Sequence, residues 1–288
     1  MLRTVLFSCI ALLVGACTVL PKIELIKITS PADLKGDEVD TFALQKSRIK
    51  IFQSGTKKVD GKEVPTLAIS SIPEEFTDFK LGIRRADSFG IKTNLNLTKF
   101  PNTELINEAG VEVVDTRVAL IGQIGSIVTK IAKVLFADGE LNPNSLPKNI
   151  NTLVLLKTSN VERAASSAPI DAGDGVQVEF GPLPADAVET SSMPASQVGG
   201  SLVYSACRTA TVYFDFSGER YVQTVKISDP RYLQRVSLPI KGKVSFHTEC
   251  GVSVDANKDT GISSSAAVAE ALSVQAKAIK EAIDAAKK

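Results

Sequence analysis

The sequence predicts an α+β protein: two antiparallel β-meander domains, each capped by one amphipathic helix. Three observations lead there. Long tracts alternate apolar and polar residues with period two, as half-buried antiparallel strands require. Two further tracts, 118–136 and about 264–286, change to the three-and-four spacing of a helix. The halves also look alike: IKTNLNLT, a turn, AGVEVVD and a helix in the first correspond to IKGKVSFHT, CGVSVDA and a helix in the second. Gly110, Val111 and Val113 thereby match Gly251, Val252 and Val254, the pattern of an internal duplication. A chain of 288 residues is long enough for two such units.

The elements follow in order. Residues 18–40 mix Lys, Pro, Asp and Gly and read as a tether, with one short alternation at Ile23, Leu25 and Ile28. From Phe42 the alternation is sustained: Ile49 and Ile51 in RIKIF, then Phe79, Leu81 and Ile83 in FKLGI. In IKTNLNLT, Ile91, Thr93, Leu95 and Leu97 take one face, and Lys92, Asn94, Asn96 and Thr98 the other. A turn at Pro101 leads to GVEVV, ending at Asp115. Between Val118 and Phe136, Ile121, Ile124, Val128, Ile131 and Leu135 make one helical stripe, and Leu120, Ile127 and Val134 make its neighbour. Lys130 and Lys133 interrupt the apolar run, which argues for a helix on a core rather than across a membrane.

Residues 138–200 are rich in Pro, Ser, Ala and Gly, the composition of a connection. Within it TLVLL, with Leu153 to Leu156, and GVQVEF, with Val176, Val178 and Phe180, read as isolated strands. Alternation resumes from Ser201: TVYFDF, an SGE hairpin turn, YVQTVKI, and a DPR turn at Asp229 to Arg231. Strands at Leu233–Ile240, Val244–His247 and Gly251–Val254 precede an Ala-rich helix with a narrow stripe at Val268, Leu272, Ile279 and Ile283.

The start of the chain carries an address. Arg3 is a short positive region, and Val5 to Val14 form an apolar core too short to span a bilayer but suited to a secretory signal. Gly15 and Ala16 then lead into Cys17, so that LVGAC resembles the lipobox of bacterial lipoprotein signal peptides. The resemblance covers about 20 residues. It implies that the signal is cut before Cys17 and that this residue carries two or three acyl chains, enough for a stable anchor where one chain is marginal. Thr18 stands where an Asp would retain such a lipoprotein in the inner membrane, so the implied destination is the outer membrane. The other reading is an ordinary secreted protein cut elsewhere, with Cys17 an incidental thiol. The expected division is a signal peptide at 1–16, a lipidated N-terminus and tether at 17–40, a first domain at 41–138, a connection at 139–200 and a second domain at 201–288.

Loss of Arg3 with the leader turns 33 basic against 32 acidic side chains into an even balance. That balance, without a phosphate-binding loop or a basic run interleaved with aromatics, argues against nucleic acid as a partner. Of four Cys, Cys9 leaves with the signal and Cys17 is the anchor, so Cys207 and Cys250 are expected to form a disulfide in an oxidising compartment. Their spacing excludes a redox CxxC pair.

A single His, His247, excludes most imidazole chemistry. It is expected on a strand surface, opposite Val244 and Phe246, and no GxSxG elbow accompanies it. The GGS at Gly199 to Ser201 reads as a turn before a strand. Asp255, Asn257 and Asp259 have the one, three, five spacing of a calcium loop. Thr260 replaces the turn glycine and Ala266 the bidentate Glu, which favours a polar loop without metal. The sequence thus points to a non-catalytic outer-membrane lipoprotein, without cofactors, that touches the membrane through Cys17 and binds or scaffolds envelope proteins or a second copy of itself. A carrier of lipid or another apolar ligand is the alternative, and an envelope hydrolase using His247 the third.

Overall fold

The structure, a computed structural model, describes residues 20–30, 33, 39–59, 61–87, 91–115, 148–216 and 218–257. Of these, 65% lie in strands and 6% are helical, with one α-helix, so the architecture is mostly β with several sheets and not α+β with a helix over each domain. The tracts 118–136 and 264–286, read as the capping helices, lie outside the described residues, as does Cys17. Among the described residues no helix is long and apolar enough to cross a membrane.

The strands are β1 (Ile23–Ile28), β2 (Asp40–Phe42), β3 (Gln45–Val59), β4 (Lys62–Glu75), β5 (Lys80–Arg85), β6 (Ile91–Lys99), β7 (Ile106–Asp115) and β8 (Lys148–Asn151). After helix α1 (Thr152–Thr158) come β9 (Ile170–Asp171), β10 (Gln177–Phe180), β11 (Val188–Glu189), β12 (Ser196–Gly199), β13 (Ser201–Phe216), β14 (Glu219–Ser237), β15 (Lys241–Phe246) and β16 (Val252–Ala256). They form four sheets, ordered β12, β1, β5, β2; β16, β15, β7, β6; β4, β3, β8; and β11, β14, β13, β10, β9. Every sheet pairing between named strands is antiparallel.

What covers these sheets is other sheets, and this is the physical reason the helix-capped reading fails. Ile23, Leu25, Phe42, Leu81 and Ile83 from the first sheet meet Ala109, Val111 and Val244 from the second in one core, which the base of the β13–β14 hairpin completes with Leu202, Val203, Leu233 and Val236. The second core joins Ile49, Ile51, Ile69 and Ile150 to Val178, Phe180, Ala210, Val212, Phe214 and Ile227, with Leu156 of α1 beside them.

The meanders are also not separate. β7 pairs with β15, with Val111 opposite Gly242, and β1 pairs with β12, with Ile23 opposite Gly199. The two look-alike hairpins, β6–β7 and β15–β16, therefore lie side by side in a single sheet. β1, read as a short strand in a tether, is an inner strand whose Ile23 and Leu25 are 1% exposed.

Two local expectations change. TLVLL is helical: the Asn151 side chain accepts a hydrogen bond from the Val154 N–H as an N-cap, and Leu153 and Leu156, three apart, turn inward while Val154 stays exposed. The DPR segment is not a turn but a bulge within the 19-residue β14. Ser205 faces Leu233 while the adjacent Ala206 faces Asp229, leaving Pro230, Arg231 and Tyr232 over. Pro230 is tolerated there because bulged residues owe no ladder hydrogen bond. Of the expected SGE turn, Ser217 lies outside the described residues, and Gly218 has φ 78°, in the left-handed region that glycine enters without steric cost.

Candidate functional site

The features that depart most from an ordinary β core gather at this bulge, where Ala206 and Tyr232 pack with Leu183 and Ala187 in a small third cluster. Along β13 the inward phase is Ala206, Arg208, Ala210, Val212 and Phe214, so the pleat itself drives the Arg208 side chain inside. Its guanidinium is fully buried and fully used. Nε donates to Gly181 O at 2.9 Å, Nη1 to Glu162 O at 3.1 Å and to Asp229 Oδ2 at 3.3 Å, and Nη2 to Ala164 O at 3.0 Å and Gly181 O at 2.5 Å.

Asp229, also fully buried, shares its carboxylate between two arginines. Arg231 donates from Nε to Oδ1 at 3.0 Å and from Nη2 to Oδ2 at 2.8 Å. The same Arg231 reaches Leu156 O at 3.3 Å and Val161 O at 2.7 Å, so it satisfies carbonyls at the C-terminal end of α1. Burial pushes Arg208 below the usual arginine range and the adjacent Asp229 charge opposes that; arginine remains charged in either case. For Arg231 burial acts the same way, but hydrogen bonding to Asp229 overrides it and holds the group above its ordinary value. Burial and then the hydrogen bond to Glu162 raise the Tyr232 phenol. Chemically the cluster is a strap, because each donor ends on a backbone carbonyl or on Asp229. It ties the 156–164 segment and Gly181 to the β13–β14 hairpin.

Beside the strap lies the cysteine pair. Cys207 and Cys250 stand at disulfide distance, with Cα atoms 5.4 Å apart and a sequence separation of 43. Cys250 sits in the turn joining β15 to β16, and β3 and β14 hold that turn as well: Gln45 Nε2 donates to Thr248 O at 2.7 Å and Glu249 O at 3.0 Å, and Ser228 Oγ donates to Glu249 O at 3.4 Å. Behind the turn is a cavity of about 30 Å³ bordered by Phe42, Tyr204, Ser205, Ser228, His247 and Cys250 among others. It has room for a water molecule or two, a small fraction of what an organic ligand needs. Ser205 Oγ is buried and makes no hydrogen bond.

His247 thus shares a cavity lining with Ser205 and Ser228, but no hydrogen bond joins its ring to either among the described residues. Its side chain is exposed, one residue past the end of β15, and its backbone N–H donates to Gly251 O at 3.0 Å. Ser201 opens β13, with Gly199 closing β12 and Gly200 between them. Asp255 lies in β16 opposite Lys243, extended and exposed rather than looped, and Asn257 follows that strand with its N–H on Lys241 O at 2.8 Å. Asp259 lies outside the described residues. Among the described residues no three His, Cys, Asp or Glu side chains cluster closely enough to hold a metal ion.

The sequence reading missed Arg208 and Asp229. The signal was available: Arg208 stands in phase with Ala206, Ala210 and Val212 along an alternating strand, a position that demands a buried counter-charge. No family model matches the chain, and no curated protein or solved structure matches it.

Proposed function

We propose that the chain is a lipid-anchored, non-catalytic component of a bacterial cell envelope, directed to the outer membrane, that binds or scaffolds other envelope proteins. The observation that carries this is the run from Leu13 to Cys17, which has the residues of a lipoprotein cleavage and acylation site in the right order after an apolar core of the right length. A sheet edge supports the binding role. Among the described residues β16 closes its sheet, with Val254 48% exposed on it, and such a strand edge offers a partner both backbone hydrogen bonds and side-chain pockets.

Growth with labelled palmitate tests the anchor. The wild-type chain is expected to take up label and sediment with outer membranes, and Cys17→Ser to do neither. Cross-linking in intact membranes tests the role. A discrete adduct with a second envelope protein or a second copy is expected, and a chain that is monomeric and partner-free throughout would sink the scaffolding reading.

A further inference from the structure

Resting on the lipid-anchor reading, we propose that one end of the body, marked by Lys22, Arg85, Lys92, Val114 and Val198, lies against the phospholipid surface, and that the joined tips of the two long hairpins point away from it. The length of the connection carries the argument. Lys22 is fixed to the body on two sides: its N–H donates to Thr93 Oγ1 at 3.1 Å, and its carbonyl accepts from the Ala86 N–H at 3.1 Å. The next residue, Ile23, opens an inner strand paired to both neighbours, with Gly199 on one side and Arg85 on the other. From Cys17 to Lys22 the chain takes only five steps, which even fully extended reach about 18 Å. An acylated Cys17 has its chains in the hydrocarbon and its backbone at headgroup level, so the end of the body that holds Lys22 cannot move far from the surface.

The side chains at that end suit the position. Leu20 is 53% and Val198 60% exposed, and Val114 is exposed as well. Lys22, Arg85 and Lys92 are exposed cations beside them, as polar headgroups with anionic phosphates favour. Exposed Asp87 stands among them, its Oδ1 accepting from the Thr93 N–H at 2.7 Å.

The other end follows from strand length. Gly200 lies against Pro21, close enough that a Cβ there would stand 2.9 Å from the Pro21 oxygen, and β13 starts at the next residue. Its 16 residues run a contour of about 50 Å before the turn. At that tip Glu219 meets Lys57 of the β3–β4 hairpin, Nζ to Oε2 at 2.8 Å. The lipid and the hairpin tips are therefore at opposite ends of the same strand.

The test places a photo-reactive benzoylphenylalanine in the full chain at Val198, at Val114, or at Val222, the last an exposed site near the distal turn. The chains are irradiated in their own membranes and in phosphatidylethanolamine–phosphatidylglycerol vesicles. Lipid adducts are expected from Val198→benzoylphenylalanine and Val114→benzoylphenylalanine and not from Val222→benzoylphenylalanine. Palmitate-labelled protein that yields lipid adducts at position 222, or at neither 198 nor 114, overturns the orientation alone. Wild-type protein without palmitate overturns the anchor reading and the orientation with it.

Discussion

The β13–β14 hairpin passes through both cores, and its two halves are built differently. At the base, Leu202 and Val203 are consecutive and both buried, which on a strand means that both faces are covered. Beyond the bulge, Ala210, Val212 and Phe214 are buried while Thr211 and Tyr213 between them are not, so only one face is covered. One pair of strands is thus a central layer at one end and an outer layer at the other. The three extra residues at Pro230–Tyr232 mark the change, and the Arg208–Asp229–Arg231 strap fixes it. Burying two cations and one carboxylate there is costly, and it is tolerated because nearly every donor finds an oxygen.

The largest test of this contrast removes the shared carboxylate. Asp229→Ala leaves the Arg208 guanidinium buried without its counter-charge, and a loss of about 3–5 kcal/mol in denaturant unfolding is expected. A loss below about 1 kcal/mol would mean that the bulge is held by packing and not by charge. Next comes the cysteine pair, which ties the β15–β16 turn to the base of the hairpin. A bond there closes a loop of 43 residues, and Cys207→Ser is expected to cost about 2–4 kcal/mol under oxidising conditions, with faster amide exchange in β15 and β16. Equal unfolding midpoints for wild type with and without reductant would show that no bond forms.

The smallest effect compares the look-alike strands. Val113 in β7 is 3% exposed and its sequence counterpart Val254 in β16 is 48% exposed. Val113→Ala is expected to cost about 2 kcal/mol and Val254→Ala no more than about 0.5 kcal/mol. Similar costs would show that the edge strand is covered in solution.

That pair also shows how far the sequence could be read. Period-two alternation placed Ile91–Lys99 on a strand and located the β6–β7 and β15–β16 hairpins, because the pleat sets which face a residue takes. Alternation does not say which strand lies alongside. GVEV and GVSV look equivalent, yet one is enclosed by β6 and β15 and the other is an edge. The pairing of Cys207 with Cys250 was legible because the other two of the four cysteines, Cys9 and Cys17, lie within the first 17 residues. The helix at Thr152–Thr158 was misread because a run of five apolar or β-branched residues fits strand and helix equally; the discriminating signal was Asn151, a good N-cap directly before it. Asp-Pro-Arg looked like a turn by composition, and only the pairing of Ala206 with Asp229 reveals a strand continuing past it. The Arg208 strap depends on carbonyls at Glu162, Ala164 and Gly181, which no local pattern brings to residue 208.

The pairing of Ile23 with Gly199 has a consequence for the order in which the molecule forms. The first strand of the body gains its second neighbour only after almost two hundred residues have been made, and β7 pairs with a strand that is made later still, β15. Contacts so distant in sequence form slowly, because the loop between them must close before they repay its entropy. A chain whose opening strand cannot finish its sheet early stays loose while it is being synthesised. Under the export proposed above, that delay leaves the chain unfolded when it meets a translocation channel.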